Sequence, residues 1–359
     1  MSDPVEIIKD EVRTLRPYSL VSQRARVKLN QNENPWDVSK EIKEETFRRL
    51  QGHVWSRYPG LQTLELNERL ARFSGWKPEG IIAGNGSNEL IQAVLMVTAG
   101  SGRRVLISEP TFTLYRQVST VLGSEVVSVS FTPQLTYDAD TLRKSIAATQ
   151  PSVTIICSPN NPTGCVISRS DLIGLLEATN GLVVVDEAYF EFSGQSVVPL
   201  LEKYSNLIVL RTFSKAMAMA ALRIGYLLAA PELVAEIAKA VLPYNLNIVS
   251  QTASEAAMEM YDAKLSGLVE MICSERDRLH AELERIPNLT AVPSQANFIL
   301  IRSQLPLKQV FDELLRREIL VRDVSSYPML QEYFRISVGT PKENDALLEA
   351  LWQISKELG

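Results

Sequence analysis

Short apolar runs rich in valine, isoleucine and leucine recur along the chain: Ile81–Ala83, Val105–Ile107, Val126–Val129, Val153–Cys157, Leu182–Val185 and Leu207–Leu210. Each is too short for a helix and mostly apolar rather than alternating, with Ser128 and Thr154 the polar exceptions, the pattern of a strand buried on both faces. Between them lie segments with apolar residues at helical spacing: Ser39–Leu50, Leu61–Phe73, Glu89 to about Thr98, a stretch after Phe112, Leu142–Thr149 and Asp171–Thr179. Strand and helix in alternation predict an α/β fold, a mainly parallel sheet with helices on both faces. The texture changes after Leu242-Pro243. A long helical stretch, Val249–Ile286, precedes Phe298–Ile301, Gln309–Glu318, Leu320–Arg322, Tyr333–Val338 and a final helix. Strand, helix, strand, strand, helix fits a smaller α+β domain. The expected division is an N-terminal arm, 1–30, packed with the small domain, a large domain, 31–245, and a small C-terminal domain, 246–359.

The residues that end the strands carry the chemistry. The run at 182–185 delivers Asp186 and then Tyr189; the run at 207–210 delivers Arg211, Thr212, Ser214 and Lys215, and Arg223 follows eight residues later. Strand C-terminal ends are where α/β sheets bind ligands. A carboxylate at a strand end serves as a helix cap, a metal ligand or a cofactor partner, and no companion ligands suggest a metal. A lysine is ordinarily a solvated surface charge. Lys215, however, precedes the uncharged Ala216–Leu222, surroundings that disfavour its charged form. Asp186, Lys215 and Arg223 together supply what pyridoxal 5′-phosphate (PLP) requires: an anion for the pyridine nitrogen, an amine for the Schiff base and a donor for the phosphate. Gly84-Asn85-Gly86-Ser87-Asn88 follows a strand and opens a helix, which is either a tight turn or a phosphate cradle. Asn160-Asn161-Pro162-Thr163-Gly164 is turn chemistry after a buried strand, where an amide can hold a cofactor oxygen. Phe112 is a core residue or a ring that stacks on the cofactor. Arg322 and Arg335 sit in apolar strands of the smaller domain, and arginine suits bidentate binding of carboxylate or phosphate.

Composition narrows the classes. Of 359 residues 45% are apolar, enough for a sizeable core. The net charge of −5 arises from interspersed acids and bases, with no basic stripe for nucleic acid and no basic amphipathic helix for a membrane. Three cysteines without a C-x-x-C pair argue for a reducing compartment, and two histidines against a histidine metal site. The charged N-terminus is no signal peptide, and no apolar run is long enough to span a bilayer. These features predict a cytoplasmic enzyme or binding protein with no metal.

Several motifs together resemble the fold-type I PLP-dependent aminotransferases, specifically the histidinol-phosphate aminotransferase family: Leu29-Asn30-Gln31-Asn32-Glu33-Asn34-Pro35, Arg57-Tyr58-Pro59, Gly84 through Leu90, Ser158 through Gly164, Val185 through Tyr189, Arg211 through Lys215, Leu222 through Tyr226, Pro293 through Phe298, and Ile319 through Asp323 to Arg335 through Pro341. The resemblance covers nearly the whole chain, from Pro17-Tyr18 onward. It implies reversible transamination of L-histidinol phosphate with 2-oxoglutarate. An aromatic amino-acid aminotransferase and a PLP-dependent threonine-phosphate decarboxylase are the alternatives on the same scaffold. The resemblance also implies roles. Lys215 would bond the cofactor and shuttle the proton, Asp186 would meet the pyridine nitrogen, Asn161 and Tyr189 would bond the ring oxygen, and Phe112 would stack on the ring. Ser87, Asn88, Thr212, Ser214 and Arg223 would hold the phosphate, joined by Tyr58 from the partner subunit of a homodimer. Tyr18, Asn161, Arg322 and Arg335 would face the substrate. One departure stands out: the family reads Ala-Phe-Gly-Leu-Ala-Gly-Leu-Arg after the lysine, whereas this chain places Ala218 and Ala221 at the two glycine positions.

Overall fold

The computed structural model describes residues 3–15, 25–60 and 64–359. Among them the strands are β1 (Val27–Leu29), β2 (Ile81–Gly84), β3 (Arg104–Glu109), β4 (Glu125–Ser130), β5 (Val153–Cys157), β6 (Leu182–Asp186), β7 (Leu207–Thr212), β8 (Gly225–Ala229), β9 (Leu289–Ala291), β10 (Phe298–Ser303), β11 (Ile319–Asp323) and β12 (Tyr333–Ser337). Seven form one sheet in the order β2-β8-β7-β6-β5-β3-β4. Its central pairs, β3 with β4 and β5, β5 with β6 and β6 with β7, are parallel; β8 alone runs against its neighbours β2 and β7. The wholly buried runs in β5, β7 and β8 show why the sequence there is mostly apolar, with Thr154, Arg211 and Thr212 the polar exceptions: helices cover both faces.

The second sheet has the order β1-β11-β12-β10-β9, antiparallel except where β1 joins β11. Of the N-terminal segment, Val27–Leu29 thus belongs to the smaller sheet, while Lys9 donates to the Val121 carbonyl at the end of the helix Leu114–Val121 beside the larger one. The stretch expected as one long helix, Val249–Ile286, is three: Ile248–Glu259, Tyr261–Lys264 and Ser266–Leu283. The first packs on the helices Lys40–Leu50 and Leu64–Ser74, and the last on the helix Pro341–Leu358. Ala253, Ala256, Ala257 and Leu265 accordingly belong to the core of the larger sheet, and Val269 and Ile272 to that of the smaller. No helix among the described residues is long and apolar enough to cross a membrane.

Candidate active site

The parallel strands β5, β6 and β7 bring Cys157, Asp186 and Thr212 to one edge of the large sheet; Cys157 lies directly opposite Asp186, and Thr212 runs two residues past Leu210, the partner of Asp186. Across that edge stand β11 and β12 of the smaller sheet. Between them lies a cavity of about 270 Å³. Its walls include Ser87, Asn88, Phe112, Asn161, Asp186 and Tyr189, and also Thr212, Ser214, Lys215, Arg223, Arg322 and Arg335. The structure therefore gathers twelve of the fourteen site residues expected from the sequence, from positions 87 to 335. Of the other two, Tyr58 lies outside the cavity, 79% exposed and stacked on Tyr244 at 4.4 Å, and Tyr18 falls outside the described residues.

Lys215 turns its amine inward, donating to the Gln31 carbonyl at 3.1 Å with the Tyr189 ring 5.7 Å away. Burial first, then the charges of Arg335 and Arg223, pull its pKa down to about 8, against the opposing carboxylates Glu33 and Asp186. Asp186 is 3% exposed, and burial raises its pKa. Two donors hold its oxygens: the Ala188 N–H at 3.0 Å and the Tyr115 hydroxyl at 2.7 Å.

A cradle for an anion forms where the helix Ser87–Thr98 begins. Gly86, the residue before it, has φ +81° and offers no capping side chain, so the first-turn N–H groups stay open to a ligand. A side chain at Gly86 would strike the Arg223 guanidinium at 2.3 Å, and one at Gly225 would meet the Ser87 nitrogen at 2.4 Å. Both glycines are thus required by the close approach of Arg223 and β8 to the helix start. Arg223 donates to Ser214 Oγ at 3.2 Å, and Thr212 donates to the same oxygen at 3.0 Å. Positive charge, hydroxyls and a helix N-terminus converge on one point, a donor set suited to phosphate.

The paired amides divide the work. Asn160 is fully buried, bonding the Pro110 carbonyl, Thr163 and Thr111, and so ties the turn after β5 to the turn after β3. Asn161 faces the cavity, its Oδ1 accepting from Arg335, which leaves its amide N–H groups as donors. Tyr189 accepts from Asn32 Nδ2 at 3.1 Å, and burial pushes its hydroxyl pKa up, so it keeps a proton to donate. A lysine amine, a buried carboxylate, two ring-oxygen donors, an aromatic wall and a phosphate cradle fit PLP.

Tyr115, Asn32, Gln31 and Tyr327 also line this cavity and were not singled out in the sequence. Asn32 lies within the motif Leu29–Pro35. Tyr115 follows Phe112 by three residues: Phe112 precedes the helix Leu114–Val121, Tyr115 lies in its first turn, and the two rings meet edge-on. Ala218, at a glycine position of the family, adopts φ +56°, the left-handed region that glycine fills without cost.

Comparison with known proteins bears on this arrangement. A histidinol-phosphate aminotransferase of Chlorobium phaeobacteroides is 38% identical over 351 residues, 97% of each chain. Histidinol-phosphate aminotransferase 1 of Carboxydothermus hydrogenoformans is 40% identical over 346 residues, covering 96% of this chain and 98% of that one. The crystal structure of histidinol-phosphate aminotransferase from Sinorhizobium meliloti in complex with pyridoxal-5′-phosphate shares the fold, with a TM-score of 0.88 at 23% identity over 98% of each chain. The family model for aminotransferase class I and II matches residues 24–351, a span that holds both sheets and every wall of the cavity, and the chain belongs to that family.

Proposed function

We propose that the protein catalyses reversible transamination between L-histidinol phosphate and 2-oxoglutarate, with PLP as cofactor, in histidine biosynthesis. The carrying observation is that Arg322 and Arg335 line the same cavity as Lys215 and Asp186. A phosphorylated amine can set its phosphate against the guanidinium groups while its amine reaches Lys215 Nζ. PLP, when bound, supplies an electron sink that acidifies the substrate's α-hydrogen. Asp186 would hold the cofactor's ring nitrogen, and Ser87, Asn88, Thr212, Ser214 and Arg223 its phosphate. Lys215, with a pKa of about 8, is poised to take a proton at Nζ and return it near neutral pH. Arg335 would also receive the carboxylate of glutamate.

A homodimer belongs to this reading. Tyr58, Trp55 and Val54 are 79%, 75% and 66% exposed, and Leu242 is 72% exposed, in the region where Tyr58 stacks on Tyr244. Exposed aromatic and aliphatic side chains of this number fit a surface covered by a second copy. A reducing, cytoplasmic setting suits the three free cysteines.

The test is turnover of histidinol phosphate, histidinol, phenylalanine and threonine phosphate side by side, scoring amino transfer to 2-oxoglutarate and carbon dioxide release. Histidinol phosphate should be strongly preferred and carbon dioxide absent. Equal use of histidinol removes the phosphate reading and favours an aromatic aminotransferase; carbon dioxide from threonine phosphate favours the decarboxylase.

A further inference from the structure

We infer that Tyr115 is a positioning residue that acts through Asp186, its hydroxyl holding the carboxylate ionised and aimed at the cavity so that a cofactor ring nitrogen opposite it keeps its proton. The inference rests on the reading of the cavity as a PLP site. Tyr115 lies at the start of the helix Leu114–Val121, is 0% exposed, and donates to Asp186 Oδ2 at 2.7 Å. Asp186 Oδ1 accepts from the Ala188 N–H. Each carboxylate oxygen has two acceptor sites, so one donor on each fixes the plane of the group and leaves lone pairs for a ligand.

Electrostatics gives the hydroxyl its significance. Burial drives Asp186 toward its neutral form, and the Tyr115 hydrogen bond is the foremost influence opposing it. Glu187 beside it adds to the drive toward neutrality. Burial and the charge of Asp186 push the Tyr115 hydroxyl well above its ordinary pKa, so it acts only as a donor. A neutral donor strengthens the carboxylate's ionised form without cancelling its charge, which a lysine or arginine in that place would do. With the hydroxyl gone, the carboxylate becomes more basic and competes for the proton on the ring nitrogen. Tyr115 also meets Phe112 edge-on, centroids 5.7 Å apart, so one residue braces both the anion and an aromatic wall of the cavity.

Tyr115→Phe keeps the ring and removes only the oxygen. The cofactor dissociation constant should rise about tenfold or more, since hydrogen bonds to charged groups are the strong ones. With 15N-labelled PLP, the ring-nitrogen resonance should move from the pyridinium position toward that of neutral pyridine. In an Asp186→Asn background the same substitution should change the dissociation constant by less than about twofold, because the group through which it acts has gone. Difluorotyrosine at position 115, a stronger donor of nearly the same shape, should hold the resonance at the pyridinium position, and it serves as the test if Tyr115→Phe fails to fold. An unmoved resonance with unchanged affinity in Tyr115→Phe overturns the inference. So does an equal loss of affinity in both backgrounds, which would mark Tyr115 as packing alone. Wild-type protein that binds no PLP would instead remove the functional reading itself.

Discussion

Arg322 and Arg335 are cross-strand partners, Cα opposite Cα on the antiparallel strands β11 and β12, and both line the cavity that holds Lys215. Like charges placed directly opposite are unfavourable in a sheet, so the pair gains most when a dianion bridges it. Their surroundings differ. Arg335 is 6% exposed, bonds Asn161 and the Asn30 carbonyl, and lies 5.2 Å over the Phe298 ring; Arg322 is half-buried. Arg322→Ala should therefore impair the histidinol-phosphate half-reaction more than the glutamate half-reaction. Arg335→Ala should impair both. Loss of one charge-assisted partner corresponds to roughly 1.5–3 kcal/mol, about tenfold to over a hundredfold in kcat/KM. Single-turnover kinetics of each half-reaction checks the pattern, and equal losses for Arg322→Ala would separate that residue from the phosphate.

Lys215 predicts a pH dependence of the cofactor-free protein. Its folded pKa of about 8 lies below the 10.5 of an ordinary lysine. Between those values the unfolded chain binds the proton that the folded protein does not, so stability from this group rises with pH. The penalty is fully present below about pH 8 and is relieved by about pH 10.5, at up to about 1.4 kcal/mol per unit. Urea unfolding at pH 8 and pH 10 should show a smaller loss, or a larger gain, for wild type than for Lys215→Met. Identical pH profiles for the two proteins would place the amine in solvent.

Ala218 offers a stabilising substitution. Its φ of +56° costs a residue with a Cβ about 1–2 kcal/mol, while glycine there gives back roughly 0.4–1 kcal/mol through the freedom of the unfolded chain. Ala218→Gly should raise stability by about 0.5–1 kcal/mol. The midpoint of denaturant unfolding at unchanged m-value measures it, and a lowered midpoint would show that the Cβ packs favourably in the turn after Lys215.

Behind the cavity, Glu187 and Arg211 tie the ends of β6 and β7 together. The carboxylate is 1% exposed, the guanidinium stacks 3.7 Å over the Phe190 ring, and their atoms lie 2.9 Å apart. Ser196 and the Val197 N–H complete the pair. Breaking a buried pair leaves one charge uncompensated, so Arg211→Met should cost about 3–5 kcal/mol. Glu187→Gln should cost a comparable amount, because it leaves the buried Arg211 charge uncompensated and sets an amide NH2 against the Val197 N–H. Denaturant unfolding of the two variants measures both losses; equal small losses would mean that water reaches the pair.

Much of this site is legible in the chain because its chemistry sits where apolar runs stop. Asp186 and the group Thr212–Lys215 end strands whose burial dictates their composition, and the glycines at 84 and 86 announce the helix start. What stayed hidden depends on partners distant in sequence. Tyr115 and Asp186 are 71 residues apart, and nothing local tells a tyrosine on a helix that its hydroxyl will meet a carboxylate. Asn160 and Asn161 are adjacent amides, and only the three-dimensional turn decides which is structural and which faces the cavity. Strand β8 is not among the apolar runs read from the sequence, and its reversed direction is set by the turn from Ala220 to Arg223 that brings the chain back beside β7. The breaks at Met260 and Leu265 carry no glycine or proline. They arise because the chain leaves one core for the other there, a tertiary demand that overrides helical propensity.

The shared-site reading is tested by mixing subunits. Tyr58 is 79% exposed in one chain, yet it belongs to a motif whose expected role is to reach cofactor phosphate. Both facts hold together only if a second copy brings its own Tyr58 to this cavity. Lys215→Ala should abolish activity in the subunit that carries it, and Tyr58→Phe should weaken PLP in the opposite subunit's site. In a hybrid, one site carries both defects and the other carries neither. Random reassociation of equal amounts in a C2 dimer makes half the molecules hybrids, so activity should recover to about a quarter of wild type at limiting PLP, where Tyr58→Phe homodimers are largely empty. The measurement is activity against mixing time after dissociation and reassociation, with PLP held below the affinity of the Tyr58→Phe homodimer. Activity no greater than the sum of the two unmixed variants would confine each site to a single chain. Normal PLP affinity in Tyr58→Phe would remove the contact altogether and leave Tyr58, stacked on Tyr244, as part of the surface alone.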